Sequence, residues 1–423
     1  MEGTNRRPNR VRKQSKDRSL SSAHFLLLCL ALLLSALLNL SSLKLPHQEG
    51  DEIIYLALIK NLLDTGRYSI QGTPILASLP AHIYDKPLFH HPPLYFFLAA
   101  PLLASVNENA VVLLSWLGHF LTIIAVYLLV RKKIADDDRF LALILFLVVF
   151  DPILVFCSRK IWLDSCLASF AALSVACFYE AFETGKKRIQ VLLFAGAGFF
   201  FACSVLTKII AGVMAPVFLL IFWQKGFFRN FDRDKGVYLA WFFGPLILLL
   251  APWFIQFFSV YGSFVPHWIY KSSGPASENA FITMVTNRPW YYYLKELVLI
   301  YPALPLLGAV LVLVGNKKLF LSQAKEFALF VWFAFYLAVI IYISQERLFL
   351  IRYLALLIPP MYAWLGLAAA KIQPSKFSSA LVHSLFLLFL ALNAMACFFY
   401  LFMFEMADMK SLFEIIYFTQ WQS

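Results

Sequence analysis

The sequence predicts an all-α polytopic integral membrane protein of about eleven transmembrane helices. Three observations carry that prediction. The chain has 423 residues, of which 61% are hydrophobic and only 14% charged, whereas soluble domains carry about one-quarter charged residues. Apolar runs long enough to cross a hydrocarbon core of about 30 Å recur from Phe25 to Phe404. These runs are too long, and alternate too poorly, for barrel strands.

The first element is a basic tail, residues 1–23, with a cluster at Arg6–Arg18. The net charge of +12 is not a nucleic-acid signature, because much of it lies in this tail and in short loops between apolar runs, as the positive-inside rule requires. The run at 24–43 is not followed by a small-residue cleavage site, so it reads as a retained helix rather than a signal peptide. Further basic clusters lie at 131–133, 186–188, 225–235, 317–318 and 371–376. If all are cytoplasmic, an even number of spans separates neighbouring clusters. The spans are then 24–43, 110–130, 140–157, 164–182, 189–206, 209–223, 237–258, 297–314, 327–344, 353–370 and 381–404. The N-terminus lies inside and the C-terminus outside. Residues 24–404 form one membrane domain, followed by a short tail at 405–423.

Two outer loops are large. In the loop at 44–109, Ile54, Leu58 and Leu62 fall on one stripe of an amphipathic helix expected to lie in the membrane interface. Residues 92–106 are too few to span and are expected there as well. The second loop, 259–296, is rich in aromatic residues, including His267, Trp268 and Trp290 to Tyr293. The six cysteines show no C-x-x-C spacing. Cys157 and Cys166 either pair or sit as small core residues.

On this topology the ionisable residues gather on the outer face: Asp51 and Glu52 open the first loop, Arg159, Lys160 and Asp164 follow the third span, Lys208 lies in the next outer turn, and Arg352 and Tyr353 precede the tenth span. Carboxylates beside cations suit transfer from a phosphate-linked donor. A carboxylate takes the proton of an acceptor hydroxyl, and Lys or Arg holds the departing phosphate. Other readings stand beside this one. Asp51 and Asp164 each open a helix and would serve equally as N-caps. Arg159, Lys208 and Arg352 would serve as snorkelling residues. Glu52, His91 and His267 are candidates for substrate or metal contact, without the spacing of a zinc site. Asp151, inside an apolar run, either caps a helix resumed after Pro152 or lines a cavity.

Several segments in order resemble the GT-C-fold membrane glycosyltransferases, in the family of protein O-mannosyltransferases and lipid A aminoarabinose transferases. They are Asp51-Glu52-Ile53-Ile54-Tyr55, His91-Pro92-Pro93-Leu94-Tyr95, Arg159 through Leu163-Asp164, Leu206-Thr207-Lys208, Ala251-Pro252-Trp253 with Tyr261-Gly262, Pro289 to Tyr293, and Arg352-Tyr353 with Pro359-Pro360. The resemblance implies transfer of a sugar from a polyprenyl-phosphate carrier to an acceptor outside the cytoplasm. It implies Asp51 as the essential carboxylate, Asp164 as the second-loop carboxylate, Lys208 at the carrier phosphate, and Arg352 and Tyr353 as the family's Arg-Tyr pair; in the mechanism expected here Arg352 and Tyr353 join Lys208 at the phosphate, helped by Arg159. The chain departs from the family pattern at His91, where many members have Lys (Lys86 is nearby), and at Ile209, where Gly is usual. A soluble C-terminal domain like that of some relatives is not expected, so acceptor recognition is expected from the outer loops.

The expected reaction is a single displacement with inversion, in which Asp51 is the base and Asp164 orients Asp51, the acceptor or a divalent cation such as Mg or Mn. The expected partners are the lipid-linked donor, membrane lipids and a lipid, protein or glycan acceptor, with no nucleic acid. The expected location is a bacterial inner membrane. The rival reading is a transporter or flippase for a lipid-linked or anionic substrate, which would place charges and broken helices near the midplane.

Overall fold

The computed structural model describes residues 22–45, 47, 50–79, 84–134, 137–229, 231–264, 290–314, 324–344, 351–370 and 376–406. His267, the expected basic cluster at 317–318 and both expected tails lie largely or wholly outside the described residues. Every regular element among the described residues is helical. Among the described residues eight helices are long and apolar enough to cross a membrane, and two bent pairs raise the number to ten. The remaining expected span, 209–223, falls on the shorter apolar helix Ile209–Gln224.

The first helices in chain order are α1 (Ser22–Asn39), α2 (Asp51–Thr65), α3 (Leu94–Ser105), α4 (Val112–Val130), α5 (Asp138–Val149), α6 (Pro152–Ser158), α7 (Asp164–Glu183) and α8 (Lys187–Thr207). They are followed by α9 (Ala215–Gln224), α10 (Arg233–Tyr261), α11 (Tyr292–Ile300), α12 (Leu304–Val314), α13 (Ala324–Ser344), α14 (Ile358–Ala369) and α15 (Lys376–Met406). A 3-10 turn, Ile351–Leu357, leads into α14. The most extensive packing joins α7 to α8 and α4, and α8 to α10.

Two glycines make that packing possible. A Cβ on Gly118 in α4 would lie 2.6 Å from the Ser165 carbonyl carbon and the Cys166 amide nitrogen of α7. A Cβ on Gly198 in α8 would lie 1.9 Å from the Phe242 carbonyl oxygen of α10. In both cases the obstacle is backbone, which cannot swing aside, so only hydrogen fits and the helix axes approach closely.

Both broken spans have a proline at the break. Pro152 cannot continue the α5 ladder, and the chain bends 48° into α6. The pair α11 and α12, separated by Tyr301 to Ala303 with Pro302 inside the gap, bends by 91°. Asp151 is the N-cap of α6, accepting from the Leu154 amide at 2.8 Å. Its other oxygen accepts the Tyr301 hydroxyl at 2.7 Å and the Tyr362 hydroxyl at 2.8 Å, while Asn393 donates to Tyr362. One carboxylate thus pins the two breaks to α14 and α15, and three donors offset its desolvation.

Apolar burial forms two cores. One fills the helical bundle. The other lies under the outer loop and joins Ile54, Leu58 and Ile59 of α2 to Phe96 and Ala99 of α3 and to Trp253 and Phe257 of α10. The expected stripe on α2 is present, but Leu58 is fully buried and Ile54 nearly so. The stripe packs on protein, because α3 lies against it. Cys157 and Cys166 are both free and buried; the Cys166 thiol donates to the Leu114 carbonyl at 3.2 Å.

Candidate active site

The α7 helix fixes which charged residues share an end of the bundle. Its 20 residues extend about 30 Å, with Asp164 at one end and Glu180 and Glu183 at the other. Glu180 accepts from Lys132 at 2.7 Å, and Glu183 lies 3.7 Å from Lys325. Acidic groups therefore meet the basic loops at that end. At the opposite end Asp164 meets Asp51, Lys208 and Arg352.

Neither carboxylate is a helix cap. Gly50, with φ +53°, is the N-cap of α2, and Leu163 is the N-cap of α7; neither provides a side-chain cap. Asp51 and Asp164 sit one place further on, in the first turns, where the helix dipole favours a negative charge and their side chains stay free for other partners. Arg352, on the 3-10 turn Ile351–Leu357, donates from Nη2 to Asp51 Oδ2, and its Nε lies 3.6 Å from Asp164 Oδ2. Lys208, where α8 ends, donates to Asp164 Oδ1 at 2.8 Å. The four charges close a quartet of two carboxylates and two cations, formally neutral.

Aromatic faces hold both cations. Lys208 Nζ sits 4.3 Å from the centre of the Tyr353 ring, and the Arg352 guanidinium 4.6 Å from the centre of Trp162. Such contacts strengthen when water is excluded. The Tyr353 backbone is itself held by the Tyr336 hydroxyl at 3.0 Å.

The quartet is unevenly buried. The Asp164 side chain is 1% exposed and those of Arg352 and Lys208 8%, but that of Asp51 is 34% exposed. Asp51 is therefore the most exposed member. Burial pushes its pKa up, but the adjacent Arg352 guanidinium, helped by Lys208 and His90, outweighs burial and holds the carboxyl below its ordinary value. The ring of His90 is pulled down to about 4 by burial, against the pull of Asp51. His91 is held well below its ordinary value by burial and by the neighbouring His90, Lys208 and Arg352. Both rings are neutral near pH 7, so neither adds a cation to the quartet.

Glu52 has a different task from its neighbour. It is completely buried, accepts from the Ile161 amide at 2.8 Å, faces His47 Nδ1 at 2.9 Å, and lies 3.6 Å from Lys160. It ties the first turn of α2 to the loop before α7 and so sets Asp51 against Asp164. Arg159 is also completely buried and donates to the Leu38 carbonyl at 2.6 Å. The structure thus brings together Asp51, Asp164, Lys208, Arg352 and Tyr353, with Glu52 bracing the first turn of α2. Among the described residues no three His, Cys, Asp or Glu side chains converge as metal ligands, and the two carboxylates face Arg352 and Lys208 instead.

Sequence reasoning missed Trp162 and gave Tyr55 no separate role. Tyr55 lies one turn after Asp51, and its ring meets that of His91 edge-on at 5.9 Å. The i,i+4 spacing from Asp51 was the available signal. Trp162 carried none, since its contact with Arg352 bridges distant parts of the chain.

The architecture has counterparts among solved structures. ArnT from Cupriavidus metallidurans bound to undecaprenyl phosphate is 16% identical, with a TM-score of 0.61 over 86% of this chain and 63% of that one. The archaeal oligosaccharyltransferase AglB from Archaeoglobus fulgidus, in complex with an inhibitory peptide and a dolichol-phosphate, is 15% identical, with a TM-score of 0.58 over 88% and 55%. The chain has the GT-C fold. Within it, residues 73–268, just under half of the chain, match the model of the dolichyl-phosphate-mannose-protein mannosyltransferase family. The chain spans under two thirds of the length of these GT-C structures. The comparison with curated proteins gives no match.

Proposed function

We propose that the chain is a membrane glycosyltransferase that moves a sugar from a polyprenyl-phosphate carrier to a hydroxyl or amine acceptor on the non-cytoplasmic face, with inversion. The observation that carries this reading is the quartet itself: a part-exposed carboxylate joined through Arg352 to a buried counter-charge, at the end of the bundle away from the basic loops. The family match and the lipid phosphates bound by ArnT and AglB support it.

In this reading Lys208 and Arg352 hold the phosphodiester and stabilise the charge it gains as leaving group. Asp51 takes the acceptor proton on the opposite side of the anomeric carbon. Asp164 stays beneath as the fixed counter-ion, and the two cations supply the positive charge that a divalent ion would otherwise bring. Tyr55 and His91 line the approach with neutral donors.

The transporter reading loses its main support, because the intramembrane carboxylate Asp151 is accounted for as a cap and a brace between broken spans. The test is sugar release by the purified protein in lipid, across a panel of polyprenyl-phosphate sugars with added acceptors. Turnover by the wild type that is lost in Asp51→Asn supports the transferase. Absence of both turnover and binding with every donor would refute it.

A further inference from the structure

The two cations that a donor phosphate needs are already neutralised in this structure. Arg352 is engaged by Asp51 and Asp164, and Lys208 by Asp164. An anion entering a formally neutral, largely buried quartet gains little unless one carboxylate yields. Burial decides which one. Asp164 is enclosed and held by both cations, whereas Asp51 is one-third exposed and bound on one side only.

We infer that Arg352 is shared in turn between Asp51 and the lipid phosphate, and that the proton Asp51 gains in the reaction decides which of them holds it. This rests on the transferase reading above. When the donor binds, Arg352 leaves Asp51 for the phosphate and the carboxylate is freed to act as base. In the transfer step the acceptor O–H proton passes to Asp51 and the acceptor oxygen bonds to the anomeric carbon. The anomeric C–O bond to phosphate breaks, with its electron pair going to the phosphate. One negative charge moves from Asp51 to the carrier, so the total is unchanged. The neutral Asp51 no longer competes for Arg352, which stays on the carrier phosphate. Once Asp51 loses its proton to water, it recaptures Arg352 and the spent carrier is released.

Among the described residues, the charged and titratable groups around Asp51 are Arg352, Lys208 and His90, with Asp164 across Arg352 and Tyr55 and Tyr353 beside it. Replacing Arg352 by an anion as the near neighbour must raise the affinity of Asp51 for a proton. Carrier binding is therefore linked to proton uptake by Asp51.

The experiment measures binding of undecaprenyl phosphate to the full-length protein in nanodiscs between pH 5 and 8. The wild type is compared with Asp51→Asn, Asp51→Ala, Arg352→Gln and the double variant Asp51→Asn/Arg352→Gln. Asp51→Asn and Asp51→Ala are expected to bind about tenfold tighter or more, the factor of one pKa unit. They are also expected to lose the part of the pH slope not due to the phosphate itself. In the Arg352→Gln background the second substitution is expected to change affinity less than about twofold, which is strong coupling in a double-mutant cycle. Unchanged or weaker binding by both Asp51 variants would overturn the exchange. So would an equal gain without Arg352, which would mean simple charge removal. Failure of wild type and variants alike to bind the carrier would instead overturn the transferase reading on which the exchange rests.

Discussion

The Arg352 guanidinium donates to the Asp51 carboxylate across a separation of 301 residues. This pairing joins the first turn of α2 to the turn before α14 and places the most exposed carboxylate of the quartet next to an enclosed guanidinium.

Asp51→Asn keeps the shape but cannot accept a proton. Transfer is expected to fall by about 10²–10⁴-fold, the usual contribution of a general base, with the thermal melting profile unchanged. Comparable turnover in the variant would remove Asp51 from the chemistry.

The pH profile follows from the same pair. The Asp51 carboxyl is held below its ordinary value in the free protein, so its charge persists as pH falls and is lost only below the normal carboxylate range. The acid limb of kcat/KM, which reports the free enzyme, is expected below about pH 4. The limb of kcat reports the donor complex and is expected at higher pH, since Arg352 has then left Asp51. Coincident limbs would argue against that departure. His90, with its ring at about 4, gives no transition between pH 5 and 8, so His90→Gln should leave the profile in that range unchanged.

Lys208 contacts Asp164 and the Tyr353 face, at the predicted phosphate position. Lys208→Met is expected to lower kcat/KM for the donor by roughly 10- to 150-fold, the worth of one charge-assisted hydrogen bond of about 1.5–3 kcal/mol. A change confined to the acceptor KM would move Lys208 to the acceptor side.

Gly118 sets the height of Asp164, because α4 and the start of α7 approach backbone to backbone there. Gly118→Ala forces that contact apart and is expected to lower activity with a smaller loss of stability. Gly198→Ala, against Phe242, tests packing alone and is expected to lower the melting temperature first. If the two variants behave alike, the Gly118 contact has no special bearing on the site.

Asp151→Leu removes the partner of two tyrosine hydroxyls and one amide. Each orphaned group costs about 1–3 kcal/mol, so expression and melting temperature should fall sharply. Asp151→Asn keeps an acceptor for the cap and should retain most activity, whereas a proton-coupled transporter would not tolerate it.

The sequence by itself determined the membrane character, the positions of nearly all the spans, and the residues from which the site is built. Those properties are local. Apolar run length follows from hydrocarbon thickness, and an ionisable residue stands out against 61% hydrophobic composition. The tertiary structure decided the roles. Helix opening made Asp51 and Asp164 equally good caps, and only the placement of Gly50 and Leu163 freed both side chains. Adjacent acids Asp51 and Glu52 look equivalent along the chain, yet one is part-exposed beside Arg352 and the other is buried against Ile161, 109 residues away. Arg159 reads like Arg352 in sequence but is turned to the Leu38 carbonyl. Charge pairing across hundreds of residues depends on which helix ends the packed bundle brings within a few ångströms, and close contacts such as Gly118 on Ser165 fix that approach.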